Sequence, residues 1–178
     1  VLFDTSGGGG GSSFTPITFD SAAVTYTLTG FGGAEDATVV ADPTNASNNV
    51  ARVVKSATAE LWAGTTVSTG ANQSVDTIPF TATSTRMTVR VYSDRAGYPV
   101  RLKVEDAADP THTVETEALT TQVNTWETLT FDFANPAAGT AALNLAYTYN
   151  KVSIFFDFGT SGAAGGGGTF YFDDVAFN

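Results

Sequence analysis

A chain of 178 residues with 18 acidic against 8 basic side chains carries a formal charge of −10. That balance argues against partners of the same sign, nucleic acid and anionic membrane surfaces among them. The absence of cysteine excludes disulfide frameworks, thiolate metal sites and cysteine nucleophiles, and no run is apolar for long enough to form a spanning helix.

In chain order, residues 1–16 (VLFDTSGGGGGSSFTP) read as a linker, because five glycines followed by two serines make a tether and not an element. A tether implies a neighbour, so the expectation is one domain over residues 17–178, joined to others in a larger chain. From Ile17 the sequence turns to short threonine-, valine- and phenylalanine-rich runs with period-two alternation, separated by Gly, Pro, Asn and Asp. Strands are predicted at 17–20, 25–31, 38–42, 49–56, 59–67 and 86–93. Others follow at 100–106, 113–119, 126–133, 151–158 and 169–177. Only 135–150 leaves room for a short helical turn. Strands of this number and spacing predict an all-β fold, a two-sheet antiparallel β-sandwich of the jelly-roll kind.

Alternation assigns faces. Met87, Val89 and Val91 point to the core, as do Val100, Leu102 and Val104, then Leu129, Phe131 and Phe133, then Val152, Ile154, Phe156 and Phe158. Arg90, Tyr92, Arg101, Lys103, Glu105, Trp126, Phe155 and Asp157 are left outside, giving an outer face that mixes rings with charged groups. An ordinary solvated face carries fewer rings.

The closing strand, GTFYFDDVAF, sets Asp173 beside Asp174, and strict alternation puts one carboxylate among apolar side chains. A Ca²⁺ ion resolves this, since it takes carboxylate and carbonyl oxygens together, and Asp20 in ITFD offers a second ligand if the first and last strands are neighbours. The alternative ends the strand at the pair, with one carboxylate capping backbone amides and the other in water.

GTFYFDDVAF resembles the closing strand of bacterial β-jelly-roll carbohydrate-binding modules, the group appended to laminarinases, xylanases and other polysaccharide-degrading enzymes. ITFD is similar to their opening, and NNVARVVKSATAELWAGTTV, SDRAGYPVRLKVED, TWETLTFDF and NKVSIFFDFG to their internal strands, so the likeness runs from Ile17 to Phe177. The resemblance implies a secreted or cell-surface module with a structural calcium where the first and last strands meet. Carried over by position, the ligands are Asp20 and Asp173 or Asp174, with Asp173 favoured for sharing the face of Val175. The family usually has a glutamate where Asp20 stands.

The resemblance also implies binding without catalysis. Glu115 and Glu117 alternate along one strand, as glycosidase acids do, but lack the surrounding acidic–aromatic pattern. His112 is the single histidine, with Tyr92, Tyr98 and Arg95 as conceivable lyase partners. For sugar binding, rings stack on pyranose faces and planar polar groups hold hydroxyls. The expected carbohydrate-binding set is Trp62, Tyr92, Arg95, Tyr98, Lys103 and Trp126, with Trp62 and Arg95 favoured for their neighbouring glycines and turns. The expected ligand is a polysaccharide such as a β-glucan; a polyanion would need a local basic cluster. The competing reading is a repeat of an extracellular adhesin or fibre.

Overall fold

The computed structural model describes residues 13–178; the tether expected at the start lies, but for its last four residues, outside the described residues. Ten strands form where β-branched and aromatic residues alternate. They are β1 (Thr27–Phe31), β2 (Asp36–Asp42), β3 (Asn45–Lys55), β4 (Gly64–Ser68) and β5 (Arg86–Tyr92), then β6 (Pro99–Asp106), β7 (Asp109–Leu119), β8 (Glu127–Asp132), β9 (Lys151–Phe156) and β10 (Gly168–Phe177). They make two five-stranded antiparallel sheets, one ordered β1-β4-β9-β6-β7 and the other β2-β3-β10-β5-β8. This is the expected all-β sandwich.

The core lies between the sheets. Val100, Leu102, Val104, Val152, Ile154 and Phe156 enter it from the first sheet, and Met87, Val89, Val91, Phe131, Phe170 and Phe172 from the second, all at most 2% exposed. The alternation read from β5, β6, β8 and β9 therefore sorts these side chains as expected; each such burial stabilises the fold by roughly 1.5–3 kcal/mol. Phe14, ahead of the expected domain start, is also buried, and the Thr15 N–H donates to Asp76 Oδ2 at 3.0 Å.

Four expectations change. Ile17 makes one antiparallel bridge to Val175, so first and last segments are neighbours, but Phe19 (φ 58°) ends the pairing before a strand forms. The run at 59–67 becomes strand only from Gly64, leaving Trp62 in a loop. Residues 135–150 hold turns and no helix. Most tellingly, β10 does not alternate through its aspartates. Asp173 pairs with Arg90 and Ala176 with Thr88, so a bulge inserts one extra residue. Asp174 takes it up at φ 48°, a left-handed conformation that aspartate tolerates, and its N–H donates to Asp173 Oδ1 at 2.8 Å. Val175 then points inward in the place alternation gave to Asp174. Asp173 and Val175 therefore do not share a face, and neither carboxylate enters the core.

Candidate functional site

The outward residues of the first sheet form a groove of about 590 Å³. Strand register lays out its floor: Thr29, Thr66, Ser153, Lys103 and Glu115 make one row across all five strands. Thr66 and Ser153 are buried at the bottom, their hydroxyls 2.7 Å apart. On one side of this row the surface is aromatic, with Phe31, Trp62, Phe155 and Phe158; on the other it is polar, with Glu105 and Lys151. A surface lined by hydroxyls, charged pairs and rings offers hydrogen bonds and stacking to a polar ligand with apolar faces.

Trp62 stands at the aromatic side, 47% exposed. Its indole lies near-parallel to Phe31, with centroids 6.3 Å apart and planes at 20°. Two glycines make room. A Cβ on Gly32 (φ 66°) would come within 2.8 Å of the Trp62 ring, and one on Gly64 within 2.6 Å of Phe155.

The charges of the groove are matched in number, but not one to one. Arg101 bridges Glu115 and Glu117, each at 2.7 Å, and its guanidinium lies 3.5 Å from the Phe158 ring centroid. Lys103 pairs with Glu105 at 2.9 Å, and Lys151 approaches the same carboxylate at 3.8 Å. Three cations thus face three carboxylates. Glu115 and Glu117 share one guanidinium and do not stand free across a gap, which is what glycoside hydrolysis asks of two carboxyl groups. His112 stacks on Tyr147 at 3.6 Å and lies between Asp106 and Asp109, away from its conceivable partners Tyr92, Tyr98 and Arg95.

Of the six residues expected to bind sugar, only Trp62 and Lys103 line the groove. Arg95 is a framework residue: it pairs with Asp157 at 3.3 Å and donates to the carbonyls of Gly165 (2.8 Å) and Gly167 (3.3 Å). Tyr98 is 7% exposed and packs on Phe170, and burial pushes its hydroxyl pKa up. Tyr92 and Trp126 belong to the outer side of the second sheet, so the single mixed face expected from alternation is two faces. Tyr92 packs at steep angles on Trp126 and Tyr171, at 58° and 81°. Trp126 lies under Arg90 and donates its indole N–H to Asp42 at 3.1 Å. These rings are spent on one another and present no common plane.

Among the described residues no group of three or more acidic or histidine side chains is placed to hold a metal ion. Asp20 accepts from the backbone and side-chain amides of Asn49, at 2.9 and 3.0 Å. Asp173, 1% exposed, accepts from Asn48 Nδ2 at 3.0 Å, and Arg90 Nη1 lies 3.6 Å from it and 3.3 Å from Asp174. Asp173 is thus met by an amide and a guanidinium. Burial chiefly, with the Asp174 charge, still pushes the Asp173 carboxyl up to about 6, against the opposing pull of Asn48, the Asp174 amide and Arg90.

Sequence reading missed Phe31, Thr66, Gln73 and Ser153 as groove residues and assigned Phe158 to the core; Asp157 at φ 47° turns the chain after β9, and Phe158 lines the groove instead. Outward parity on β4 and β9 marks Thr66 and Ser153, but hydroxyls on a strand look like any solvated face until the side chains around them are placed.

No protein-family model and no curated protein matches the chain. Solved structures of similar shape do. A family 11 carbohydrate-binding module of the cellulosomal cellulase Lic26A-Cel5E of Clostridium thermocellum aligns at TM-score 0.55 and 11% identity, covering 94% of this chain and 97% of that one. A family 11 module from Clostridium thermocellum in complex with a β-1,3-1,4-mixed-linked tetrasaccharide aligns at 0.53 and 13%, covering 92% and 95%. The family 29 module CBM29-2, in a variant form, aligns at 0.52 and 9%, covering 94% and 92%. At these identities the likeness is one of fold, and the chain has the β-sandwich fold of carbohydrate-binding modules.

Proposed function

We propose that the protein binds a neutral β-linked glucan in the groove of the first sheet, without cleaving it. The observation that carries this reading is Trp62, an exposed indole backed by Phe31 beside a floor of hydroxyls and matched charges. The ring supplies the apolar contact to a sugar face, and Lys103, Glu115, Thr29 and Gln73 supply donors and acceptors at its edge. Charge balance favours a neutral chain over a polyanion: three cations meet three carboxylates locally, and the protein as a whole carries −10. Likeness of fold to modules that include one holding a mixed-linkage tetrasaccharide supports the same ligand class.

In this reading the domain is a secreted or surface module that holds a neighbouring enzyme on its polysaccharide. The reading assigns compensation of the Asp173–Asp174 pair to Arg90 and Asn48 and leaves no part for a calcium ion. Affinity electrophoresis in gels containing mixed-linkage glucan, laminarin, xylan or alginate tests the ligand class. Retardation by a neutral glucan with free passage through alginate is expected; free passage through every gel removes the reading.

A further inference from the structure

Lys55 ends β3 in the second sheet, where Gly168 of β10 is its partner, and its side chain is 2% exposed. A buried ammonium is costly unless all three of its protons find acceptors. Here they do, and all three acceptors belong to one turn in the opposite sheet. Nζ donates to the carbonyls of Phe156 at 3.1 Å, Asp157 at 2.8 Å and Thr160 at 2.8 Å. Burial pulls the Lys55 pKa down, and the Asp157 charge opposes that pull. From outside, Arg95 grips the same turn through Asp157 Oδ2, and Asp157 itself sits at φ 47°.

That turn builds the aromatic side of the groove. Phe158 projects from it into the groove, under Arg101 and against Phe155, 5.7 Å between ring centroids. Its backbone is tied outward in two directions: the Phe158 N–H donates to Pro99 O at 3.1 Å, and the Gly159 N–H to Leu61 O at 2.9 Å. Leu61 immediately precedes Trp62, so the loop that carries the exposed indole hangs on a turn whose carbonyls converge on one ammonium. Lys55 itself lines no part of the groove.

We propose that Lys55 is the positioning residue of the groove, an internal cation that fixes the Asp157–Thr160 turn and through it Phe158 and Trp62. Without the ammonium, three carbonyls lose their shared donor at once, and the turn relaxes toward water. The sandwich keeps its core, while the aromatic side loses its fixed spacing and a ligand then has to order it on binding. The effect on ligand affinity rests on the glucan reading of the groove; the effect on Trp62 does not.

The test uses a Trp126→Phe background, in which Trp62 is the sole indole. Lys55→Met removes the donors, Lys55→Gln restores part of them, and Leu129→Ala lowers stability from the core of the second sheet as a control. Well below each melting temperature, acrylamide quenching reports the exposure of Trp62, and affinity electrophoresis reports binding of mixed-linkage β-glucan. Lys55→Met is expected to raise the quenching constant by roughly twofold and to weaken glucan binding by about tenfold. Lys55→Gln falls between it and the parent, and Leu129→Ala moves neither readout. Altered quenching with no glucan binding by any variant, the parent included, upholds the positioning role and removes the glucan. A folded Lys55 variant with parental quenching overturns the proposal. So does loss of folding in both Lys55 variants, because Lys55 then supports the whole sandwich and not this turn.

Discussion

Trp62 and Phe31 lie with their rings 20° from parallel and 6.3 Å apart, so the exposed indole rests on a second ring that belongs to strand β1. Such backing holds the indole plane without burying its outer face. A flat ring fixed in advance binds a sugar face at little cost in ordering. Trp62→Ala is therefore expected to cost about 1–2 kcal/mol of glucan affinity, roughly tenfold. With about half of the side chain buried against Phe31, the variant should also lose about 1–3 kcal/mol of stability. Calorimetric titration beside a thermal melt separates the two effects. Equal affinities for variant and parent would remove Trp62 from the site.

Gly64 makes a different prediction, because it is buried beneath Phe155 and Phe31 and its missing side chain is space for both rings. An added Cβ would lie 2.6 Å from Phe155 and 2.9 Å from Phe31. Gly64→Ala should lower stability by about 1–3 kcal/mol through overpacking. By tilting Phe31 it should also weaken ligand binding. Chemical denaturation measures the first and titration the second. A variant as stable as the parent would mean that the rings have room to move.

Arg101 ties Glu115 and Glu117 together with only 12% of its side chain exposed. Arg101→Met leaves two carboxylates facing each other without a counter-charge, and a loss of roughly 2–4 kcal/mol is expected in urea unfolding. A triple variant that also carries Glu115→Gln and Glu117→Gln should recover part of that loss. No recovery would show that the arginine acts through its stacking on Phe158 alone.

The fold was legible because alternation in β5, β6, β8 and β9 is strict and each strand has one apolar face. Val100, Leu102 and Val104 could be sorted from Arg101, Lys103 and Glu105 without any structure. The site was harder to read, since alternation tells outside from inside but does not tell one sheet's outside from the other's. Trp62 and Lys103 belong to one outer face, Tyr92 and Trp126 to the other, and no local pattern carries that difference. Arg95 was read as a ligand contact because it follows a turn; its guanidinium donates to the carbonyls of Gly165 and Gly167, partners some 70 residues away in sequence. The face shared by Asp173 and Val175 was misread for a backbone reason. A bulge absorbs one residue, and period-two reading cannot foresee where a strand will slip.

Asp173 gives a pH dependence with a definite sign. Its carboxyl, pushed up to about 6 by burial above all, sits above the ordinary unfolded value of about 3.9. Between these values the folded protein holds a proton that the unfolded chain has released. The contribution of Asp173 to stability is thus complete below about pH 4 and is lost as pH rises through about 6, by at most roughly 3 kcal/mol. Asp173→Asn should flatten this part of the stability profile. Parallel profiles for variant and parent between pH 4 and 7 would contradict the assignment.

Arg90 and Asn48 stand where a cation would compensate that carboxylate. Thermal melts in excess chelator and in millimolar calcium are expected to coincide. A calcium-dependent rise in melting temperature would show that an ion displaces the guanidinium.

The most direct measurement of the central claim is a map of amide shifts as a mixed-linkage glucan tetrasaccharide is titrated into isotope-labelled protein. The expected response is confined to Thr29, Trp62, Thr66, Lys103 and Ser153, on the first sheet and the loop above it. Saturating shifts at Tyr92, Trp126 and Tyr171 instead, on the opposite sheet, would contradict it, as would a spectrum that does not move.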